Sequence, residues 1–253
     1  GLFLLPGIAA AKAGPAAALA YLLAGLLAVP AMLSVSELAT ALPKAGGAYY
    51  FLERALGPAV GTVAGFGTWL SLVLKDAFAM VGMSAYLVLI LDVNATVLAL
   101  VLIAMFTLVN VVGSKASASL QLVLVVVVLG AMAWFIVEGL AETASRGFDG
   151  SNLDPFFTTG VSGITAVVGL VFVSFGGLTK VASAAEEVED PSHRIPLGMA
   201  LSLATASVLY TLGVLVVVAL FPPDVLHGDL APIHTAAQAL LPPAGVCLLL
   251  SCL

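Results

Sequence analysis

The sequence predicts an all-α polytopic membrane protein, and three observations carry that prediction. The 253-residue chain is 62% hydrophobic and only 9% charged, with a mean hydropathy of +1.19. Soluble domains carry about 25% charged residues, so the solvent facing most of this surface is lipid. Apolar stretches of span length recur along the whole chain, separated by short polar clusters rich in Gly and Pro. One of these stretches breaks midway, in FVSFGGLTKVASAAEEVEDPSHRIP, residues 172–196.

Eight spans are expected in order. Residues 1–11 (GLFLLPGIAAA) form a partial first span, and residues 15–42 a second that passes Gly25 and Pro30. Residues 46–56 (GGAYYFLERAL) are amphipathic enough for an interfacial helix. Residues 58–91 make a long third span, which at 1.5 Å per residue reaches ~50 Å and must tilt or protrude. The fourth and fifth occupy 95–113 and 118–137, and 139–158 is a polar loop with Asp149, Asn152, Asp154 and Pro155. The broken sixth covers 160–186 and the seventh 196–221; residues 222–242 are a loop with a short helix, and 243–253 begin the eighth. A span needs about 20 residues, so both termini are expected to cut through spans. The chain is therefore read as a single transmembrane domain, residues 1–253, that is a piece of a longer protein. The start lacks the basic region and cleavage site of a signal peptide.

Lys44, Arg54, Lys115 and Arg194 fall on one side of these spans, and Lys12 and Arg146 on the other. The positive-inside rule makes the first side cytoplasmic. The formal net charge of -6 sits in loops. No basic run interleaved with aromatics appears, so nucleic acid is not an expected partner. Cys247 and Cys252 lie in an apolar run, and their spacing is not that of a metal site. His193, His227 and His234 are placed in loops, with no HExxH, and no Ser-His-Asp constellation appears. Neither an enzyme nor a metal centre is expected. Gly61, Gly65 and Gly67 in the third span allow close helix approach.

The break in the sixth span is the chemical clue. An unpaired backbone group in hydrocarbon costs several kcal/mol, so broken helices persist only against protein or a wet cavity. Gly176-Gly177 permits backbone angles that other residues avoid. Unwinding there would free carbonyls before the break, which attract an ammonium, and N–H groups after it, which attract a carboxylate. An α-amino acid carries both charges side by side. The other reading of the two glycines is a plain packing kink. A second candidate break, Gly1, Pro6 and Gly7 in the first span, stands five spans earlier. Carriers built from two inverted five-span repeats break their helices at those two places.

These residues carry a family resemblance along the whole chain. GLFLLPG, then AGPA, then SVSELATALPKAGGAYYFLERALG, with Glu37-Leu38-Ala39, Pro43, Gly46-Gly47 and Tyr49, resembles the first two spans and following loop of the amino acid–polyamine–organocation (APC) transporters. Glu186, Glu187, Val188, Pro191, Arg194, Ile195 and Pro196 resemble that family's exit from its sixth span. The resemblance implies the APC (LeuT-like) inverted five-helix repeat fold, here from the first span to the start of the eighth. It implies secondary active transport of amino acids by alternating access, with substrate held at unwound parts of the first and sixth spans. The site residues are then Gly1, Leu2 and Phe3 with Val173, Ser174, Phe175, Gly176 and Gly177. Exchange of amino acids or polyamines, and a non-transporting amino-acid sensor, are the alternatives. Some proton-coupled members place a lysine in the fifth span, whereas SLQLVLVVVVLGAMAWFIV has none.

Charges within or next to the spans complete the candidates. Lys75 and Asp76 lie near the centre of the third span, where an ionisable group costs at least ~2.5 kcal/mol and is a functional candidate by default. Lys75 can stand in for a coupling cation or carry a proton; a static ion pair is the structural reading. Lys180 lies one turn past the break and is read as snorkelling or as a charge on the substrate path. Glu186 and Glu187 are candidates for an inner-gate latch with Arg54, Arg194 or Lys44. No cofactor is expected beyond a coupling ion, H⁺ or Na⁺. The expected partners are an amino acid and the bilayer, and the expected location is the cell (plasma or inner) membrane, spanned several times.

Overall fold

The computed structural model describes residues 3–44, 46–88, 93–112, 114–145, 156–157, 160–183, 185–226 and 231–240, which are helical and carry no strand. Gly1, Leu2, most of the loop before residue 156 (Arg146, Asp149, Asn152, Asp154 and Pro155), His227, Asp229 and the start of the eighth span lie outside the described residues.

Each helix begins and ends at a residue suited to it. α1 (Leu5–Ala13) carries Pro6 in its first turn, where a missing N–H removes no intrahelical bond. It stops at Gly14, whose φ of +59° suits glycine. A 3₁₀ turn over Gly14–Ala16 leads into α2 (Ala17–Ala41), which contains Pro30. Gly46 and Gly47, with φ of +124° and +53°, precede α3 (Ala48–Leu56). Gly57 separates α3 from α4 (Pro58–Val88), which starts on a proline. At the start of α5 (Ala95–Val112) the Asn94 side chain accepts the Thr96 N–H at 2.9 Å, a cap for an otherwise unpaired donor.

Two helices run past their expected bounds. α6 (Ser114–Ser145) extends past both ends of the expected 118–137 and into the expected loop. Its last turns are rich in Glu, Ala and Leu, good helix formers. Trp134 Nε1 donates to Glu138 Oε1 at 3.3 Å, and the Thr143 hydroxyl donates to the Gly139 carbonyl at 2.7 Å. α9 (Pro191–Leu220) starts at Pro191, and Pro196 falls inside it. The Asp190 carbonyl accepts the N–H groups of His193 (3.3 Å) and Arg194 (3.1 Å), and Asp190 Oδ1 accepts the Ser192 hydroxyl at 2.8 Å. His193 therefore lies in a helix, as does His234 in α11 (Pro232–Leu240), not in loops. Between them come α7 (Gly160–Phe172) and α8 (Leu178–Ser183) before α9, and α10 (Pro223–Leu226) after it.

By length and composition, five helical runs among the described residues can cross a membrane: Leu5–Ala41, Pro58–Val88, Gln121–Ser145, Gly160–Ser183 and Pro191–Leu220. The chain forms two compact units. The first comprises Gly1–Ala18, Ala77–Ile164 and Leu212–Leu253; the second comprises Leu19–Asp76 and Thr165–Thr211. In the first, α10 packs on α1 and α11 on α6, around buried Tyr86, Met132, Phe135 and Val217. In the second, Tyr21, Val167, Val171, Phe175 and Met199 are buried.

Glycines set the close approaches in the second unit. A Cβ on Gly61 would lie 2.8 Å from Glu53 Cα and 2.9 Å from its nitrogen, so α4 rests on the α3 backbone there. One turn on, a Cβ on Gly65 would meet the Tyr49 ring at 2.9 Å, whereas one on Gly67 would meet nothing within 4 Å. The close approach expected of the third-span glycines thus falls on two of the three. On the same face of α3, a hydrogen bond to Glu53 raises the Tyr49 phenol above its ordinary pKa. At the start of α3, a Cβ on Gly47 would lie 2.7 Å from Ser183 Oγ, which seats this turn against the end of α8.

Candidate functional site

The sixth span changes its hydrogen bonding at the place the sequence marks. α7 ends at Phe172, Val173–Phe175 tighten into a 3₁₀ turn, Gly176-Gly177 form a turn, and α8 resumes for six residues. The Gly176 N–H donates to the Val173 carbonyl at 3.1 Å, and the Lys180 N–H to the Gly177 carbonyl at 3.1 Å. Neither glycine takes a positive φ; Gly176 sits at φ −66°, ψ 4°. Access to left-handed angles is therefore not what these glycines supply. At Gly176 the need is space: a Cβ would stand 3.2 Å from the Val173 oxygen and 3.7 Å from Lys75 Nζ. A Cβ on Gly177 would meet nothing within 4 Å.

Three of the charged candidates gather around this turn. Lys75, half-buried on α4, directs its ammonium at Gly176. Its neighbour Asp76 points elsewhere and pairs with Lys180 of α8 at 3.9 Å, both side chains more than half exposed. Adjacent helical residues diverge by about 100°, so Lys75 and Asp76 serve different partners. Three charges from two spans thus meet at the break with a net positive sign.

Beside the same turn lies a cavity of about 300 Å³. Ser174, Phe175 and Gly177 form one wall, and Met199, Ser202, Ala206 and Tyr210 of α9 line the other. Phe175 packs on Tyr210 (ring centroids 5.5 Å apart), and Tyr210 packs edge-on to the buried Tyr21 (6.0 Å). The Ser174 hydroxyl is buried, with no partner in full hydrogen-bond geometry among the described residues and the Tyr21 phenol as its near neighbour. Gly25 makes room for this cluster: a Cβ there would run into Ser207 and reach 3.4 Å from Phe175 Cζ.

Sequence reasoning missed Tyr21 and the α9 wall. The signal present was the helical spacing of residues 199, 202, 203, 206 and 210, which puts them on one face. Nothing in the sequence links that face to the break.

The remaining candidates are placed as follows. Phe3 belongs to the first unit, where its ring meets Tyr86 edge-on at 5.7 Å and its carbonyl accepts the Tyr86 hydroxyl. Arg54, Glu186 and Glu187 are exposed. Arg194, a proposed latch partner, pairs with Glu189 at 3.3 Å on the segment leading into its own helix.

The profile of the family described as amino acid permease matches residues 1–244. The chain is 30% identical to Cationic amino acid transporter 2, vacuolar, of Arabidopsis thaliana, over 93% of this chain and 40% of that one. It is 28% identical to Branched-chain amino acid permease BcaP of Lactococcus lactis subsp. cremoris, over 94% and 56%. It is 29% identical to Aromatic amino acid transport protein AroP of Corynebacterium glutamicum, over 94% and 52%. The chain thus spans about half the length of these relatives.

Proposed function

Since the chain belongs to the amino acid permease family, we propose that it is the substrate-binding part of a multi-pass secondary carrier that moves amino acids by alternating access. The observation that carries this reading is the break at Val173–Gly177, flanked by a cavity and by the half-buried Lys75 ammonium of an apolar span. Relatives named for amino acid transport across the whole matched length support it.

In this reading the substrate lies against the break on the side of Ser174, Phe175 and Gly177, and main-chain groups there meet its amine and carboxylate. Lys75 occupies the place of a coupling cation. An ammonium at Gly176 repels Na⁺ and can release a proton, so the pH gradient is the driving force. The Asp76–Lys180 pair ties α4 to α8 and exchanges partners as one bundle rocks against the other. Glu186, Glu187 and Arg54 serve the cytoplasmic gate. The carrier works in the cell membrane.

The test is uptake of a labelled amino-acid mixture into proteoliposomes holding the full-length polypeptide, under a pH gradient, a Na⁺ gradient or neither. The expected result is uptake that follows the pH gradient and is lost in both Gly176→Leu and Lys75→Met. Binding without uptake would instead make the protein a sensor. A folded Gly176→Leu variant indistinguishable from the parent would return the two glycines to packing.

A further inference from the structure

We propose that the cavity at the break admits neutral amino acids with apolar side chains and excludes cationic ones, with Met199, Ser202, Ala206 and Tyr210 as the selecting residues. This rests on the substrate placement proposed above. Four observations support it. The cavity, about 300 Å³, sits at the small end of ligand pockets and has room for a single amino acid rather than a long polyamine. Its wall is apolar apart from the hydroxyls of Ser174, Ser202 and Tyr210, and among the described residues no charged side chain lines it. The Phe175–Tyr210 ring pair gives it an aromatic face suited to a branched or flat side chain.

The surrounding charge has the wrong sign for a cationic guest. The carboxylate of the local charge group, Asp76, is already engaged by Lys180, and Lys75 adds a second positive charge at the turn. A guanidinium or ammonium entering the cavity would give up its water without an anionic partner, which is unfavourable. An apolar side chain instead gains by leaving water. The same geometry thus favours one class and penalises the other.

The experiment measures uptake of labelled leucine into proteoliposomes holding the full-length polypeptide, in competition with unlabelled leucine, phenylalanine, alanine, arginine and lysine. Leucine and phenylalanine are expected to compete, and arginine and lysine at equal concentration are not. Ala206→Phe fills the cavity and is expected to raise the KM for leucine about tenfold or more relative to alanine, the range set by methylene-scale fit. Ser202 is exposed, so Ser202→Phe gives the same readout should Ala206→Phe fail to fold. Ser202→Asp is expected to let arginine compete. Preferred uptake of arginine or lysine would overturn the selectivity while leaving the carrier reading intact. Equal KM shifts for leucine and alanine in both filling variants would show that the cavity does not hold the side chain. A folded parent that takes up no amino acid would remove the underlying transport reading itself.

Discussion

Replacing Gly61 by alanine tests the packing that seats α3 on α4. The new Cβ would stand 2.7 Å from Glu53 Cβ, 2.8 Å from its Cα and 2.9 Å from its nitrogen. Carbon atoms rest at about 3.5–4.0 Å, so α3 has to retreat by roughly 0.8 Å. Two of the three atoms are backbone, so no side-chain rotation relieves the clash. Overpacking of this kind costs about 1–3 kcal/mol. At Gly65 the obstacle is the Tyr49 ring, which can swing aside, so alanine there should cost less. At Gly67 nothing lies within 4 Å, and alanine stabilises a helix interior by about 0.5–1 kcal/mol. For a chain of this size each kcal/mol moves the melting point by about 2–4 °C. Thermal melts of the full-length polypeptide in detergent, read by fluorescence-detected size exclusion, should order the variants Gly61→Ala, Gly65→Ala, parent, Gly67→Ala from lowest to highest. A Gly61→Ala protein as stable as Gly67→Ala would refute the seating of α4 on the α3 backbone.

Three further outcomes follow from the same geometry. Gly47→Ala combines a φ of +53° with the Ser183 clash, and strain of that kind costs about 1–3 kcal/mol; Ser183→Gly in the same chain should recover only the steric part, and full recovery in melts would show that the backbone angle is unstrained. Asp76→Asn breaks an exposed pair, so its melting point should shift by less than about 1 kcal/mol-equivalent while uptake falls; unchanged uptake would strip the pair of its role. Arg194→Ala should stay within about 0.5 kcal/mol of the parent in denaturation, because its partner Glu189 is 86% exposed; a larger loss would mean that Arg194 holds the start of α9 in place.

Much of the helical layout was legible because its punctuation is local. Gly14, Gly47, Gly57 and Pro58 each sit at a helix boundary for reasons that a few neighbouring residues determine. The break at residues 173–177 was legible for the same reason, although Gly176 supplies clearance beside the Val173 carbonyl rather than an unusual angle. The ends of α6 and the start of α9 were misjudged because polarity was taken for a loop signal. Glu138 and Glu142 continue a helix, and Asp190 with Pro191 starts one earlier than expected. The pairing of Asp76 with Lys180, the Tyr21–Tyr210–Phe175 cluster and the cavity join segments far apart in sequence. Such contacts depend on which faces meet, and periodicity does not record that.

The six residues of α8 make up less than two turns, and a helix that short does not persist by itself. It is held at one end by Gly47 against Ser183 and along its side by Asp76 against Lys180. Loss of both anchors leaves a segment that melts as a unit rather than one that swings. Helix–coil relaxation of even ~20 residues takes about 0.1–1 μs, whereas collective rearrangements of whole bundles take microseconds to milliseconds. Fraying of α8 is therefore faster than any rearrangement of whole helices. The segment is lost or reformed before a motion on that scale completes.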